Sequence, residues 1–379
     1  MKSLKILCSL LCFLLLASQV WSMLHWNEAR GVYDDVCYLR QAHLFQRFGL
    51  AGLDTDISRD DGYLVSKLKE IGFPANDSPP CHTPMPATKK LVLQYPPGTG
   101  FVLALFPQGH QVVPLFVSAT IIVFGFALWG IFLARSVQAI LLAGGLGCLA
   151  VYIMVNPVKA SYSMAPTMVV CTLAGFLTAK LFAGATRRHR LWLTLLLGFL
   201  LGLAVNFRLP NLFLGAGYFL FFLFAFLSSR KFEIALRGVG FGVAFVIGMA
   251  PTLIANAINA GSPFATTYGG QDVAPPEFTV GILWQYVGDM QFVLLLLAGL
   301  SVAYLLGTRR EKGTRRVGLV TAGNLVVNLA FFLSHPVFTP YYTIPIAMLS
   351  LWSVSFAALM EPAEAVDESL VGQAANARS

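Results

Sequence analysis

Long apolar segments alternate with short polar ones over most of the chain. The first lies between positions 6 and 16, and nine others follow a long polar stretch that ends near position 110. These nine segments are residues 112–134, 137–155, 164–182, 191–205, 212–227, 239–258, 292–306, 317–333 and 342–360. Each is near the length that a helix needs to cross about 30 Å of hydrocarbon. The pattern therefore predicts an all-α polytopic membrane protein with about ten transmembrane helices.

The N-terminal segment has two interpretations. Lys2 and Lys5 precede its apolar run, which fits either a first transmembrane helix or a signal peptide cleaved after Ser22. We expect the uncleaved helix, because apolar residues continue beyond that point and Trp21 and Trp26 are suited to anchor its outer end at the membrane interface. Both interpretations place the next polar stretch outside the cytoplasm.

Basic residues are distributed unevenly between the two sets of loops. If the N-terminus is cytoplasmic, every second loop should be rich in Lys and Arg. Those loops and their flanking helix ends contain Arg135, Lys180, Arg187, Arg188, Arg190, Arg230, Lys231, Arg237, Arg309, Arg310, Lys312, Arg315 and Arg316. The short loops of the opposite set contain only Lys159 and Arg208. We therefore expect both termini in the cytoplasm and, from the short loops, a bacterial inner membrane protein.

Composition supports a membrane protein and excludes one class of partner. Hydrophobic residues make up 56% of the chain, charged residues only 12%, and the mean hydropathy is +0.70. The net charge of +8 could suggest nucleic acid, but the basic residues lie in short clusters between apolar runs, where they set topology instead. We expect no nucleic-acid partner.

These patterns divide the chain into four parts. They are a first transmembrane helix at 1–23, an extracytoplasmic loop at 24–110, a transmembrane helix bundle at 111–360 and a disordered cytoplasmic tail at 361–379. The tail is acidic and rich in small residues, which is typical of disorder. The loop is too long to be a connector, since 17 of the 44 charged residues lie between positions 28 and 110.

Two stretches of the large loop have helical apolar spacing. They are Val36/Leu39/Ala42/Phe45 and Leu64/Leu68/Ile71, each with charged residues on the other face. Such helices are suited to lie flat on a membrane surface. Cys37 and Cys81 are the two cysteines of this loop, and whether they form a disulfide is left open by the sequence.

The distribution of carboxylates narrows the search for an external acid or base. The chain has no Asp or Glu between Asp77 and Glu233, so most external acids lie in the first loop. Asp34 and Asp35 follow the first helix by about a dozen residues, near the depth of a lipid head group. The alternative for this pair is a solvated turn. A second pair, Asp60 and Asp61, is interpreted as a turn, with Asp61 as a helix cap.

Five short motifs resemble those of a family of membrane enzymes. They are Tyr33-Asp34-Asp35-Val36-Cys37-Tyr38-Leu39, Tyr95-Pro96-Pro97-Gly98-Thr99-Gly100, Asn206-Phe207-Arg208-Leu209-Pro210, Asn259-Ala260-Gly261-Ser262-Pro263 and Pro340-Tyr341-Tyr342-Thr343-Ile344-Pro345. Together they resemble the GT-C class of integral-membrane glycosyltransferases, in the branch with the protein O-mannosyltransferases, the lipid A aminoarabinose transferase and the lipopolysaccharide galacturonosyltransferases. The resemblance spans most of the chain.

The resemblance implies an activity and a catalytic group. A sugar would move, with inversion, from a polyprenyl-phosphate carrier to an extracytoplasmic acceptor: a glycolipid, a polysaccharide or a protein. A carboxylate of the first outer loop would act as general base, Asp34 in first place and Asp35 in second. A positioned carboxylate that takes the proton of an acceptor hydroxyl contributes ~10²–10⁴ in rate. No cofactor is expected, and a divalent metal is left open.

The leaving lipid phosphate needs a cation or directed donors. The candidates for contact with the phosphate or substrate are Arg208, Lys159, Lys89, Lys90, Tyr95, His110, Tyr341 and Tyr342. Several have a structural alternative: Arg208 could extend to the interface, His110 could lie at an interface, Tyr341 and Tyr342 fit an aromatic belt, and the Tyr-Pro-Pro-Gly motif could only set a chain direction. Tyr95 also replaces the Lys of some relatives, which weakens the case for phosphate contact there.

A rival class is a non-catalytic polyprenyl-lipid binder or a transporter or flippase of the cell envelope. Transporters usually carry ionisable residues in mid-membrane or inverted repeats. The apolar segments here are nearly free of acids, and the large loop has no counterpart in the second half. An ion-coupled transporter is therefore disfavoured, whereas a lipid binder is still compatible with the sequence.

Overall fold

The computed structural model describes residues 1–26, 35–72, 79–155, 161–184, 189–269, 275–308 and 311–360. Over these ranges the chain is largely helical, with one short hairpin. The α-helices are α1 Lys2–Met23, α2 Asp35–Phe48, α3 Tyr63–Glu70, α4 Gly98–Ala104, α5 Val112–Leu133, α6 Val137–Val155, α7 Met164–Ala179, α8 Arg190–Val205, α9 Ala216–Ser229, α10 Phe232–Gly248, α11 Ala250–Ala260, α12 Val280–Val287, α13 Met290–Gly307, α14 Lys312–Ser334 and α15 Ile344–Met360. The strands are β1 His82–Met85 and β2 Lys90–Leu93, which pair antiparallel.

The apolar helices agree with a polytopic membrane protein. Seven helical stretches are long and apolar enough to cross a membrane: Lys2–Met23, Val112–Leu133, Val137–Val155, Met164–Gly184, Leu209–Ser229, Met290–Gly307 and Lys312–Ser334. α10 and α11 pass the same test together as a bent pair, and α8 and α15 are shorter apolar helices. The predicted fold class is confirmed at this level, while the number of ten spans is still a prediction.

Close helix crossings form the centre of the bundle. α7 packs along α15, and α8 packs along α10. At the second crossing a Cβ added to Gly248 would lie 2.2 Å from the backbone oxygen of Phe199, so only glycine allows this approach. At the first, Trp352 is buried against Gly175, where a Cβ would lie 2.5 Å from the Trp352 Cβ. Side chains on the other faces of several helices are large, apolar and exposed, as expected for contact with lipid.

The predicted segment 239–258 is a broken helix in the structure. α10 and α11 meet at an angle of 52°, and Pro251 lies in the first turn of α11. The side chain of Asn206 satisfies the backbone at the break: its Nδ2 donates to the Gly248 carbonyl at 2.8 Å, and its Oδ1 accepts from the Thr252 amide at 2.9 Å. A helix break at membrane depth needs such partners, because no water is present to replace the lost hydrogen bonds.

The described part of the large loop comprises residues 35–72 and 79–110. It is called the outer region below, after its predicted side of the membrane, and the adjoining end of the bundle is called the outer end. The two predicted helices are confirmed as α2 and α3, but the charged face expected for α2 is wrong. Arg40 is 0% exposed and Gln41 2% exposed, and α2 packs against α4. The short hairpin was not predicted from the sequence. α2 is thus the interior of a small folded unit.

A disulfide and two asparagine contacts hold the outer region together. Cys37 and Cys81 are joined, which decides the question that the sequence left open. Asn259, at the end of α11, accepts hydrogen bonds from the Thr55 amide at 3.0 Å and donates to the Leu53 carbonyl at 2.8 Å. The outer region is therefore tied directly to a helix of the bundle.

The second acid pair, Asp60 and Asp61, has the predicted structural role, but Asp60 and not Asp61 is the helix cap. Asp60 caps α3, since its Oδ2 accepts hydrogen bonds from the amides of Gly62 at 3.1 Å and Leu64 at 3.4 Å. Asp61, expected to be the cap, instead forms an ion pair with Arg47 at 2.6 Å. The left-handed backbone of Gly62, at φ +90°, directs the amides of α3 toward Asp60.

Candidate functional site at the outer end of the bundle

Asp35 lies at the first position of α2 and is 1% exposed. Its Oδ1 accepts a hydrogen bond from the Ser161 hydroxyl at 2.9 Å and another from the Tyr162 amide at 3.0 Å. These donors belong to the chain that enters α7, so Asp35 joins the outer region to the bundle. A solvated turn is therefore wrong for Asp35. Asp34 and Lys159 lie outside the described residues.

The donors of Asp35 belong to a tight turn, residues 161–164. The Met164 amide donates to the Ser161 carbonyl at 2.8 Å, and the hydroxyls of Ser161 and Ser163 lie 3.2 Å apart. Ser163 is anchored in turn, because its carbonyl accepts a hydrogen bond from the Thr167 hydroxyl at 2.7 Å. These serines are buried and hydrogen-bonded, so the turn is rigid.

Arg208 reaches the same turn from the opposite side. It lies in extended backbone between α8 and a 3₁₀ segment, Leu209–Gly215, and is 6% exposed. Its Nη1 lies 3.2 Å from the Met164 sulfur and 3.5 Å from the Tyr341 carbonyl oxygen. The guanidinium is 4.6 Å from the ring centre of Tyr341 and 5.6 Å from that of Tyr342. Such stacking is favourable for a cation.

This environment distinguishes Arg208 from an arginine that extends to the interface. No carboxylate of the described residues forms an ion pair with it. A buried cation that is held only by neutral groups and ring faces is costly unless a further anion binds. The structure thus argues against the snorkelling alternative and keeps Arg208 as a candidate phosphate ligand.

The two tyrosines are held in place by α13. Gln291 is buried, and its Oε1 accepts hydrogen bonds from the amide of Thr343 at 2.7 Å and from its hydroxyl at 2.9 Å. The Nε2 of the same side chain donates to the Thr339 carbonyl at 3.0 Å. The segment that carries Tyr341 and Tyr342 is therefore clamped at both ends by one glutamine.

A cavity of about 400 Å³ opens beside this centre. Its wall is mostly apolar, and Tyr342 and His335 are among the polar side chains that border it. The lining comprises Gln94, Pro96, Leu209, Pro210, Leu212, Phe213, Met249, Thr252, Leu253, Asn256, Pro263, Phe264, Ala265, Thr266, Thr267, Tyr268, Phe331, His335 and Tyr342. Its volume falls in the usual range for ligand pockets. A mostly apolar cavity that also has polar side chains in its lining suits an amphiphile.

The Tyr-Pro-Pro-Gly motif forms part of the frame around the cavity. Tyr95 stacks on Tyr38 with ring centres 5.0 Å apart and meets the ring of Tyr268, a cavity residue, at 5.9 Å. The Gly98 amide donates to the Asn206 carbonyl at 2.7 Å, and a Cβ at Gly98 would lie 2.6 Å from that oxygen. The motif therefore has the predicted structural role, with Tyr95 supporting a wall of the cavity.

The structure places three other candidates away from the Asp35 and Arg208 contacts. Lys90 forms an ion pair with Asp54 at 3.0 Å and donates to the Ile258 carbonyl at 3.2 Å, so it fastens the hairpin to the bundle. Lys89 is exposed in the hairpin turn, with φ +55°. His110 is exposed in a turn just before α5. We withdraw Lys90 as a phosphate ligand, because its charge is already paired.

Sequence reasoning missed the residues that position the site. Ser161, Ser163 and Gln291 are uncharged side chains in or beside apolar runs, and nothing in their spacing marks them. Asn206 belongs to one of the five motifs, but the motif gives it no role of its own. The contacts of Ser161, Gln291 and Asn206 join segments more than 40 residues apart in the chain, for example Asn206 with Gly248 and Gln291 with Thr343. The role of these residues is visible only in the tertiary structure, where the distant segments contact one another.

Comparisons with protein-family models, with curated proteins and with solved structures found no match for this chain. Within the described ranges, no group of three or more His, Cys, Asp or Glu side chains is arranged to hold a metal ion. The interpretation of the site therefore rests on its own geometry and on the motif resemblance.

Proposed function

We propose that this protein is a glycosyltransferase of the GT-C type that moves a sugar from a polyprenyl-phosphate carrier to an extracytoplasmic acceptor, with inversion. One observation carries the proposal: the 161–164 turn contacts both the Asp35 carboxylate and the Arg208 guanidinium, next to a mostly apolar cavity. The motif resemblance supports it independently, because each of the five motifs contributes a residue to this site or its frame, with Pro263 in the lining of the cavity.

Arg208 is the proposed ligand of the carrier phosphate. Negative charge grows on the leaving phosphate as the glycosidic bond breaks, and a cation that is already positioned stabilises that charge without reorganisation. Arg208 is fixed by Met164 and by the tyrosine pair, and it has no described carboxylate that would compete with a phosphate. Arginine also suits phosphate because its guanidinium offers two parallel donors.

Asp34 is the proposed general base, and Asp35 is its positioning residue. Asp35 is buried, and the 161–164 turn holds one of its carboxylate oxygens through two hydrogen bonds, which leaves little room for an acceptor hydroxyl on that side. Asp34 directly precedes Asp35 in the sequence, at the start of α2. The base would take the acceptor proton while the acceptor oxygen forms its bond to the anomeric carbon and the phosphate departs with the bonding electrons.

The cavity is the proposed site for the chain of the carrier next to its phosphate. Leu209, Phe213 and Phe331 give it an apolar wall, and Tyr342 connects this wall to Arg208. About 400 Å³ accommodates only the first isoprene units, so the remaining chain would extend into the lipid. Gln94, Asn256 and Thr266 are polar lining residues that are suited to contact a sugar or an acceptor.

The deciding experiment compares envelope glycans by mass spectrometry in a deletion strain of the producing organism. The strain is complemented with wild type, Asp34→Asn, Asp35→Asn or Asp61→Asn, each with verified membrane insertion. We expect one sugar to be missing from a glycolipid, polysaccharide or glycoprotein in the deletion strain and in both substitutions of the first pair. Asp61→Asn is the matched control, since its carboxylate forms an exposed ion pair in the same region.

A second measurement separates the enzyme from a lipid binder. Binding of undecaprenyl phosphate to the purified chain should persist in Asp34→Asn and weaken in Arg208→Gln. Full restoration of the glycan by the Asp34→Asn/Asp35→Asn double variant, with normal binding of the carrier lipid, would contradict the transferase. That result would assign the protein to the non-catalytic polyprenyl-lipid binders.

A further inference from the structure

A second cavity lies at the opposite end of the bundle, called the inner end below. This end is formed by the end of α9 and the beginnings of α8, α10 and α14, and it is the predicted cytoplasmic side. The cavity has a volume of about 270 Å³ and is bordered by four basic side chains, Arg190, Lys231, Arg237 and Arg316. Glu233 is the single acid among its lining residues. The lining therefore carries a formal charge of +3.

The positive charge of this cavity is only partly balanced within the described residues. Glu233 and Arg237 lie 3.8 Å apart, one helical turn from each other on α10. Lys231 and Arg316 come from different helices and form no ion pair with a described carboxylate. Like charges that converge on one cavity repel each other, and an anion bound between them removes that repulsion.

The backbone adds to the positive potential. α8 begins at Arg190 and α10 begins at Phe232, so two helix N-termini meet at residues that line or adjoin the cavity. The free amides of a helix N-terminus favour negative charge. Phosphate is the anion whose size and charge match several converging arginine and lysine side chains.

The apolar part of the wall points to the source of that phosphate. Phe222 and Ile234 line the same cavity, together with other apolar side chains of α9 and of the segment after α7. A soluble anion gains nothing from such a wall, whereas the glycerol and acyl portion of a lipid would be covered by it. Basic pockets between transmembrane helices on the cytoplasmic side are suited to anionic head groups.

We propose that this inner cavity, bordered by Arg190, Lys231, Arg237 and Arg316, is a binding site for the phosphate group of an anionic phospholipid. The site lies at the opposite end of the bundle from Arg208 and its ligand is a membrane phospholipid, so it does not depend on the proposed transfer reaction. A phospholipid bound here would contact α8, α10 and α14 at the same time and stabilise the inner end of the bundle.

The test measures lipid binding to the full-length purified chain by native mass spectrometry, with phosphatidylglycerol and phosphatidylcholine as probes. Lys231→Gln/Arg316→Gln removes two charges from the cavity. Lys312→Gln/Arg315→Gln is the matched control, because it removes two charges from the same end at residues that do not line the cavity. We expect the cavity variant to weaken phosphatidylglycerol binding about 30-fold and the control by less than about threefold.

Further arms distinguish the sources of the phosphate and guard against misfolding. Lys231→Arg/Arg316→Lys keeps both charges and should retain binding; a loss there as large as in the glutamine variant would overturn the electrostatic assignment. Thermal protection by phosphatidylglycerol but not by inorganic phosphate is the expected result. Protection by inorganic phosphate alone, absent in the glutamine variant, would support the anion site and assign it to a soluble ligand. Equal binding in the cavity and control variants would overturn the proposal.

Discussion

Arg40 in the outer region and Arg208 at the outer end of the bundle are both buried, but their surroundings differ. Arg40 donates to Asp60 at 2.9 Å, to the carbonyls of Thr55 and Asp56 at 3.0 Å, and lies 3.1 Å from the His82 Nε2. Arg208 contacts a sulfur atom, one carbonyl and two aromatic rings. Arg40 is paired with a carboxylate, whereas no carboxylate of the described residues forms an ion pair with Arg208.

This difference separates a charged residue that maintains the fold from one that we propose as a ligand of phosphate. A complete network around a buried cation stabilises one arrangement of the chain, and removing a member leaves a charge uncompensated. A buried cation with an incomplete set of partners lowers the stability of the fold. Such an arrangement is typical of functional sites, where a ligand supplies the missing partner. The sequence shows Arg40 on a predicted amphipathic helix and Arg208 in a short loop, and neither position reveals its partners. Their surroundings are therefore distinguished only by their contacts.

The largest expected effect is on catalysis, at the proposed site to which Arg208 belongs. Asp34→Asn should lower sugar transfer by about 10²–10⁴, because the amide is unable to accept the proton of the acceptor hydroxyl. Thermal stability should change little. The measurement is the rate of glycan formation in membranes at a fixed amount of inserted protein, with Asp61→Asn as the control. A rate within about twofold of wild type would remove Asp34 from the mechanism.

The next largest effect is on stability, and it tests the structural role of Arg40. Arg40→Gln should destabilise the outer region by about 3–5 kcal/mol, because Asp60 is then buried without its cation. The effect is measured by thermal denaturation of the purified chain. An Arg40→Met/Asp60→Leu double variant should recover part of the loss, since replacing both charges removes the unpaired one. If Arg40→Gln were as stable as wild type, the network would not be what holds α2.

Arg208→Gln should have the opposite result from Arg40→Gln, with a loss of ligand binding and no loss of stability. We expect unchanged or slightly higher thermal stability, because the substitution removes a buried charge that has no described carboxylate partner. Binding of undecaprenyl phosphate should weaken by about 10–100-fold, the loss of a hydrogen bond to a charged group. Isothermal titration with the carrier lipid checks the affinity, with Arg47→Gln as the control. A large loss of stability with unchanged affinity would place Arg208 in the same class as Arg40.

The smallest effect is a pH dependence of the Arg40 network. Burial and the neighbouring Arg40 charge lower the pKa of His82 to about 4. Its Nδ1 is 2.6 Å from the Pro80 carbonyl and its Nε2 faces Arg40, which fits a neutral ring that donates at Nδ1 and accepts at Nε2.

Because the unfolded chain takes up a proton near pH 6.5 and the folded chain only near pH 4, stability should fall as the pH drops through this interval. The contribution is complete above about pH 6.5. Melting temperatures of wild type and His82→Gln between pH 4.5 and 7 give the test, since this range lies above the titration of most aspartates. The same slope in both proteins would contradict a neutral buried His82.

Several features of the fold were predictable because they depend on local composition. The apolar runs predicted the helices α5 and α6 almost to the residue, since hydrocarbon accepts only a chain whose backbone bonds internally. The spacing of Leu64 and Leu68 predicted α3 in the same way. The burial of α2 was not predictable, because Arg40 and Gln41 look like surface residues until their partners are known.

The candidate site was predictable only as a set of residue types. The position of Asp35 after the first helix, the lone Arg208 of a short loop and the paired tyrosines before α15 indicated where charges and rings could act. The pairing of Lys90 with Asp54 was hidden, because it depends on how the hairpin lies against the bundle. The same holds for Asp60, which replaced Asp61 as the cap through a single glycine conformation.

The apolar helices and the uneven distribution of basic residues between the two ends follow from local hydropathy and charge along the chain. Which polar groups contact one another depends instead on tertiary packing. Asp35 meets Ser161 across 126 residues and Arg208 meets Tyr341 across 133. Such contacts depend on helix crossings at glycine and on the break between α10 and α11, and no periodicity in the sequence encodes the angle at which two helices pack.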